Sequence, residues 1–173
     1  GGAIFTNNDI LASQIRSIKN HGMGSHKYEH VNIGMNSRLD TIQAAILIKK
    51  LTLLEEEIIK RNEVAEYYNE LLKDSDLILP RLSKDKSYAW AQYTVRHKKR
   101  DDCLKKLQSQ DIPAAVYYPI PLSQQAAYKH CNIVSSGLPN TETFCKEVFS
   151  LPMSPYLKRS DQEKITNVLK NNA

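Results

Sequence analysis

The sequence predicts an α/β chain in which one long helix leads from an incomplete N-terminal segment into a small α/β domain. Three observations carry this reading. A helical apolar pattern runs from Thr41 to about Lys73. After it, short stretches of strand character alternate with short helical ones. Before it, residues 1–39 offer one strand, one helix and a long polar loop, too little to bury a core unaided. The expected division is residues 1–55, the end of a larger domain, and residues 56–173, a small C-terminal α/β domain.

Gly1 to Asn8 reads as a short strand entering a turn. Asn7-Asn8-Asp9 caps a helix to about Lys19, because short polar side chains accept bonds from the free amides of a first turn. Ile10, Leu11, Ile15 and Ile18 give this helix one apolar face. Asn20-His21-Gly22-Met23-Gly24 ends it, glycine tolerating the left-handed exit. Residues 25–38 are polar and irregular. Asp40 starts the next helix. Leu47, Leu51, Leu54 and Ile58 trace its apolar face, and Ala65, Tyr68 and Leu72 resume that face beyond Arg61. At ~1.5 Å per residue, Thr41–Lys73 would span about 50 Å. Such a helix suits a coiled coil or a strut between domains. Only a few turns follow a heptad, which favours the strut.

Leu77 to Leu79 is a short extended piece and Lys84 to Ser87 a turn. Tyr88 to His97 reads as a strand with Trp90 at its centre. Asp101 or Asp102 opens a helix through Leu107. Pro113 introduces a strand from Ala114 to Tyr118. Asn140 caps a helix through Val148, and Leu151-Pro152-Met153-Ser154-Pro155 reads as a stiff surface connection. Ser160 and Glu163 have capping-box spacing and open a last helix through Leu169, with Ile165, Val168 and Leu169 on its apolar face.

Of 173 residues, 41% are hydrophobic and 25% charged, as in an ordinary globular protein. The net charge of +5 is spread among acidic residues. Lys98-Lys99-Arg100 runs straight into Asp101-Asp102, where a nucleic-acid binder would carry a continuous basic stripe. No nucleic-acid partner is therefore expected. Cys103, Cys131 and Cys145 form neither a paired framework nor a close metal spacing, so they read as free thiols of a reducing compartment. No apolar run approaches a membrane span and no signal segment precedes the first helix, which gives a cytoplasmic expectation without a membrane partner.

Two segments have the chemistry of a binding site. Gly34-Met35-Asn36-Ser37-Arg38-Leu39-Asp40 is a glycine-bounded loop carrying an amide and a guanidinium ahead of a helix. Asn36 supplies two donors, and Arg38 supplies five with a permanent positive charge. This could hold an anion; equally, it could be a capping loop with Asn36 bonded to its own backbone and Arg38 in solvent. Ala114-Ala115-Val116-Tyr117-Tyr118-Pro119-Ile120-Pro121 adds a stiff aromatic wall. On a strand, one tyrosine would face inward and its neighbour outward. The wall could stack on a sugar or base, seal an interface, or be a packed turn, with Gln124, Gln125 and Tyr128 nearby. His21, His26 and His30 share a loop, but no adjoining cysteine or paired histidine supports a metal, and none is expected. His21, beside Gly22, is the better candidate for a substrate contact.

Taken in order, these segments resemble the DegT/DnrJ/EryC1/StrS sugar aminotransferases. The matching pieces are Gly1-Gly2-Ala3-Ile4-Phe5-Thr6-Asn7, Asn20-His21-Gly22, Gly34 to Asp40, Ile42 to Leu47, Arg61 with Ala65-Glu66-Tyr67-Tyr68, Tyr117-Tyr118-Pro119, Leu138-Pro139 and Leu151 to Pro155. The resemblance implies the C-terminal part of a pyridoxal-phosphate (PLP)-dependent transferase fold, with residues 1–55 the remnant of the large PLP-binding domain. It implies amino transfer from glutamate to a nucleotide-linked keto sugar by a homodimer. The run Ile112 to Leu122 is most similar to members acting at C3 of UDP-linked N-acetylated hexuronic acids.

The resemblance also implies that Asn36 donates to the cofactor phosphate across the dimer and that Arg38 orients substrate nearby. His21 would sit on the substrate side, and Tyr117 and Tyr118 would line the sugar pocket. The lysine that holds PLP would precede Gly1. No lysine present matches it, so no catalytic residue is assigned. The 173 residues alone are expected to be inactive and to hold no cofactor stably. The alternatives are a non-catalytic dimerisation or nucleotide-sugar-binding remnant, or a sugar dehydratase of the same family with histidine in place of that lysine.

Overall fold

The computed structural model describes residues 2–81, 83 and 85–170. They form two compact units, Gly1–Leu54 and Glu55–Ala173. The first contains α1 (Asp9–Ile18) and α2 (Thr41–Leu51). The second is built on α3 (Leu54–Leu72), β1 (Tyr93–Arg96), α4 (Arg100–Gln108), α5 (Pro139–Glu147), β2 (Val148–Leu151) and α6 (Arg159–Lys170).

In the first unit, Asn8 caps α1 by accepting from the Leu11 amide at 3.0 Å. Asp40 caps α2 by accepting from the Gln43 amide at 2.9 Å. Neither helix has a buried residue. No strand forms among residues 2–8, contrary to the sequence expectation, and Gly1 lies outside the described residues. With no neighbouring strand present in this unit to take up its amides and carbonyls, an extended segment there remains irregular.

The single long helix expected from Thr41 to Lys73 is two helices. The Thr52 and Leu53 amides donate to the Lys49 and Lys50 carbonyls, three residues back instead of four. The Thr52 hydroxyl donates to the Lys49 carbonyl at 2.8 Å, competing for an acceptor at the helix end. Three glutamates in the first turn of α3 then favour a new helix start there. Apolar spacing continues through the break, which is why the pattern alone did not reveal it.

The core of the second unit is built on α3. Ala65, Tyr68 and Leu72 are fully buried, as their spacing predicted, and share one core cluster with Leu107 of α4, Phe149 of β2, and Ile165 and Leu169 of α6. β1 and β2 pair antiparallel, with Tyr93 opposite Leu151 and Arg96 opposite Val148. Ile78 bridges β1 at Arg96, and Ala115 bridges β2 at Ser150, so two single-residue bridges flank the pair. Tyr68 and Tyr93 stack with centroids 4.8 Å apart. Their hydroxyls donate to the Pro152 carbonyl at 3.0 Å and to Asn69 Oδ1 at 2.7 Å. Buried Gln162 donates to the Val64 carbonyl at 2.8 Å, tying α6 to α3, and no buried side-chain polar atom among the described residues lacks a partner.

Several boundaries differ from expectation. The strand read over Tyr88–His97 shrinks to four residues, and Trp90 sits outside it at φ 43°. Asn62 holds the preceding loop by donating to the Tyr88 carbonyl at 2.9 Å, which bends the chain away from a ladder. Ala114–Tyr118 contributes only the Ala115 bridge. β2 was missed because all four of its residues are buried, leaving no alternation to read. It takes Leu151 out of the expected surface connection. α5 begins at Pro139, preceded by Leu138, with proline at its usual first helical position; Asn140 is therefore inside the helix. Ser160 lies in the first turn of α6 and does not precede it. Of the turn expected over Lys84–Ser87, Lys84 lies outside the described residues.

Burial pushes the Tyr68 and Tyr93 phenols well above the ordinary tyrosine range, with the neighbouring Tyr93 a smaller influence on Tyr68. A phenol with a raised pKa in the folded state leaves stability intact below its unfolded value near ~10. Above that, the unfolded chain releases its proton first and folding weakens. Urea midpoints should therefore fall from about pH 10 upward. A Tyr68→Phe/Tyr93→Phe variant, though less stable at neutral pH, should show a flatter alkaline limb. Superimposable alkaline limbs would show that these phenols do not govern it.

Candidate functional site

The loop after α1 is fixed by backbone bonds. The His21 amide donates to Met35 O at 3.0 Å, Met35 N to Ile18 O at 2.9 Å and Ser37 N to Lys19 O at 2.9 Å. These lace residues 35–37 against the end of α1. Gly22 at φ 72° and Gly34 lie at the crossing. A Cβ on Gly22 would collide with the Asn32 carbonyl, and one on Gly34 with the Gly22 amide and, at 2.6 Å, the Ile18 carbonyl. Both glycines are thus required by close backbone approach.

That lacing brings three of the expected residues together. His21 adopts φ 61°, and its carbonyl is met by His30 Nδ1 at 2.9 Å. The carbonyl can only accept, so Nδ1 of His30 carries the proton. Asn36 bridges Asn20. Arg38 Nε donates to Asn36 Oδ1 at 3.1 Å. This bond uses the amide oxygen and leaves the Asn36 NH₂ without a hydrogen bond among the described residues. Asn36 and Arg38 are both exposed. The oxygen of Asn36 thus takes the guanidinium, where sequence reasoning left open a bond to its own backbone. The amide NH₂ and the guanidinium form a donor set suited to a phosphate.

The other two expected residues, Tyr117 and Tyr118, lie in the second unit. The peptide between them is cis, and their rings meet edge to face at 5.7 Å. Neither faces inward: they are 45% and 71% exposed, so the alternation expected of a strand does not apply. Tyr117 lines a cavity of about 280 Å³ with Gln92, Pro113, Ser150, Pro152 and Met153. Tyr118 lines a more apolar cleft of about 620 Å³ with Ile120, Leu122, Gln125, Leu138 and Cys145.

Gln92 was not singled out from the sequence. Its place on the cavity wall follows from the bend at Trp90, which no residue type announces. A second arrangement, Cys103 Sγ 3.5 Å from His97 Nδ1 and His97 Nε2 2.8 Å from Asp76 Oδ2, has the outline of a nucleophile relay. It does not fit that role. Burial, then the Asp76 carboxylate, pushes the Cys103 thiol up and keeps it protonated. The Lys99 amide also donates to His97 Nδ1 at 3.0 Å, occupying the position a base would need.

The first unit thus carries a loop of exposed donors, and the second, an α/β unit, carries a cavity walled by aromatic and apolar side chains. The chain belongs to the DegT/DnrJ/EryC1/StrS aminotransferase family, whose model matches residues 1–170. It is 43% identical over 171 residues to the UDP-2-acetamido-2-deoxy-3-oxo-D-glucuronate aminotransferase of Pseudomonas aeruginosa, covering 99% of this chain and 46% of that protein. It superposes at a TM-score of 0.86 on a DegT/DnrJ/EryC1/StrS aminotransferase from Brucella abortus, with 46% identity, covering 95% of this chain and 44% of the other. NtdA of Bacillus subtilis, solved with bound cofactor PMP, superposes at 0.78 with 28% identity, covering 95% and 40%. The chain thus spans somewhat less than half the length of these relatives.

Gly34→Ala should disorder this loop, because the new methyl meets backbone atoms that have no side-chain freedom to move. A loss of several kcal/mol, on the order of ~3, is expected for such a clash. Hydrogen exchange of the Met35 and Ser37 amides should become fast in the variant while the α3 amides stay protected. Unchanged protection at Met35 and Ser37 would remove the packing role assigned to Gly34.

Proposed function

We propose that this chain is the C-terminal half of a PLP-dependent nucleotide-sugar aminotransferase. The reaction would transfer an amino group from glutamate to the C3 keto carbon of a UDP-linked acetamido hexuronate. In this reading residues 1–55 complete a large cofactor-binding domain, residues 56–173 form the small domain, and the enzyme is a cytoplasmic homodimer. The observation that carries it is the Asn36–Arg38 pair. It presents an amide NH₂ beside a guanidinium on a loop held by backbone bonds at both sides. The 43% identity to an enzyme acting on a 3-oxo UDP-sugar supports the choice of substrate and position.

The residues present fit a phosphate-bearing cofactor. Asn36 would donate to the phosphate from its NH₂. Arg38 would balance charge there or on the substrate, and His21 would stand on the substrate side. Bound PLP supplies an electron sink for the pair left when a carbon next to nitrogen loses its proton. The imine-forming, proton-shuttling lysine is assigned to the half preceding Gly1. Tyr117 and Tyr118 would give the sugar nucleotide an aromatic wall, each ring offering an apolar face and a polar hydroxyl. The exposed apolar side chains of the first unit, among them Phe5 at 93% and Ile33 at 100%, support its reading as part of a larger domain.

In the complete enzyme, Asn36→Ala should weaken PLP binding by roughly ten- to a hundredfold, the scale of a lost hydrogen bond to a charged group. Its melting temperature should hardly move, since the side chain is exposed. Titration of the apoenzyme with PLP, followed by absorbance, measures the affinity. Equal affinity in variant and parent would sink the assigned role.

A further inference from the structure

The bend at Trp90 is held from one place. Arg61 Nη1 donates to the Trp90 carbonyl at 3.0 Å. Its neighbour Asn62 donates to the Tyr88 carbonyl at 2.9 Å and accepts from Trp90 Nε1 at 3.0 Å. The indole also packs beside Tyr88 and Tyr93, with ring centroids 5.5 and 5.6 Å away. A bulky residue at φ 43° persists only where its surroundings over-determine it, and such positions cluster at functional sites. Two residues on, Gln92 stands on the wall of the cavity it shares with Tyr117. Gln92 is exposed and makes no hydrogen bond among the described residues, so no structural bond accounts for its placement.

The described lining of that cavity is neutral. Pro113, Ala114, Pro152 and Met153 supply apolar surface, and Gln92 supplies both a donor and an acceptor. Ser150 is only 5% exposed, and its hydroxyl is engaged with Thr94 Oγ1 at 2.9 Å. A carboxylate placed here would meet no cation among the described lining residues. An amide with a methyl group is matched on both counts. At about 280 Å³ the cavity falls below the usual range for a whole ligand, about 300–1,000 Å³, but has room for a substituent.

We infer that this cavity is the subsite for the acetamido group of the sugar, that Gln92 reads its amide, and that Arg61 and Asn62 are positioning residues acting through Trp90. The inference rests on the nucleotide-sugar reading above and adds the group recognised and the residue that recognises it.

Calorimetric titration of the complete enzyme with UDP-N-acetylglucosamine and with UDP-glucose tests it. These probes differ at the sugar 2-substituent and need no turnover. The parent should prefer the acetamido sugar about tenfold, the scale of one or two net hydrogen bonds. Gln92→Leu should lose that preference with its melting temperature unchanged. Asn62→Ala should reduce the preference while leaving affinity for UDP-glucose in place, a split that mere loosening of the fold would not produce. No preference in the parent, failure to bind either probe, or a preference retained in Gln92→Leu overturns the inference. Amino transfer to a keto sugar, assayed alongside, separates the two proposals. Turnover without acetamido preference removes only the subsite, whereas preference without turnover removes only the aminotransferase reading.

Discussion

The second unit depends on one face of α3. Ala65, Tyr68 and Leu72 enter the core from it, and the Tyr68 ring and hydroxyl reach β1 and the chain beyond β2. One turn earlier, Arg61 and Asn62 grip the Tyr88–Trp90 loop. A single rigid element therefore sets both the packing of the two-stranded sheet and the course of the chain into the cavity beside Tyr117. A helix can do both because residues three and four apart share a face along its length. Arg61 continues the face of Ala65, Tyr68 and Leu72 one turn earlier, where it and Asn62 meet the Tyr88–Trp90 loop instead of the apolar core.

The first unit is held differently. Every buried apolar side chain among the described residues belongs to the second unit. In the first, order comes from backbone bonds between the end of α1 and residues 35–37 and from two glycines that let strands of loop touch. Hydrogen bonds of this kind contribute about 1 kcal/mol each when exposed to competing water. Burial of side chains such as Phe5 and Ile33 would add more, but within this unit they remain uncovered. Its architecture fixes the direction of Asn36 and Arg38 without supplying the bulk that normally stabilises a domain.

Much of this organisation was legible in the residues. Asn8 and Asp40 are caps with the expected side-chain bonds, and the α3 face was marked by Ala65, Tyr68 and Leu72. What escaped was set by tertiary context. The break at Thr52 leaves the apolar period intact. β2 is buried on both faces and so shows no alternation. Trp90 has strong strand character, yet hydrogen bonds from α3 hold it outside the strand. The Asn36–Arg38 segment was marked by an amide and a guanidinium near a glycine, a combination that fits an anion site or a capping loop. Gln92 did not, because an isolated glutamine carries no pattern, and its significance comes from the bend that places it.

The two units also divide the chemistry by charge. The first presents a guanidinium and free amide donors on a loop laced by backbone bonds, a combination suited to an anion. The cavity of the second unit presents an aromatic ring, prolines and an uncharged amide, a lining without a charged side chain among the described residues. A nucleotide-sugar transaminase must hold a phosphorylated cofactor tightly while telling neutral sugar substituents apart. On the reading proposed above, substitutions in the neutral cavity would alter which sugar is preferred without removing the Arg38 guanidinium. Loop changes around Asn36 would, on the same reading, act in the opposite sense. Within such a layout, substrate preference would change through residues such as Gln92 while the loop carrying Asn36 and Arg38 stays as it is.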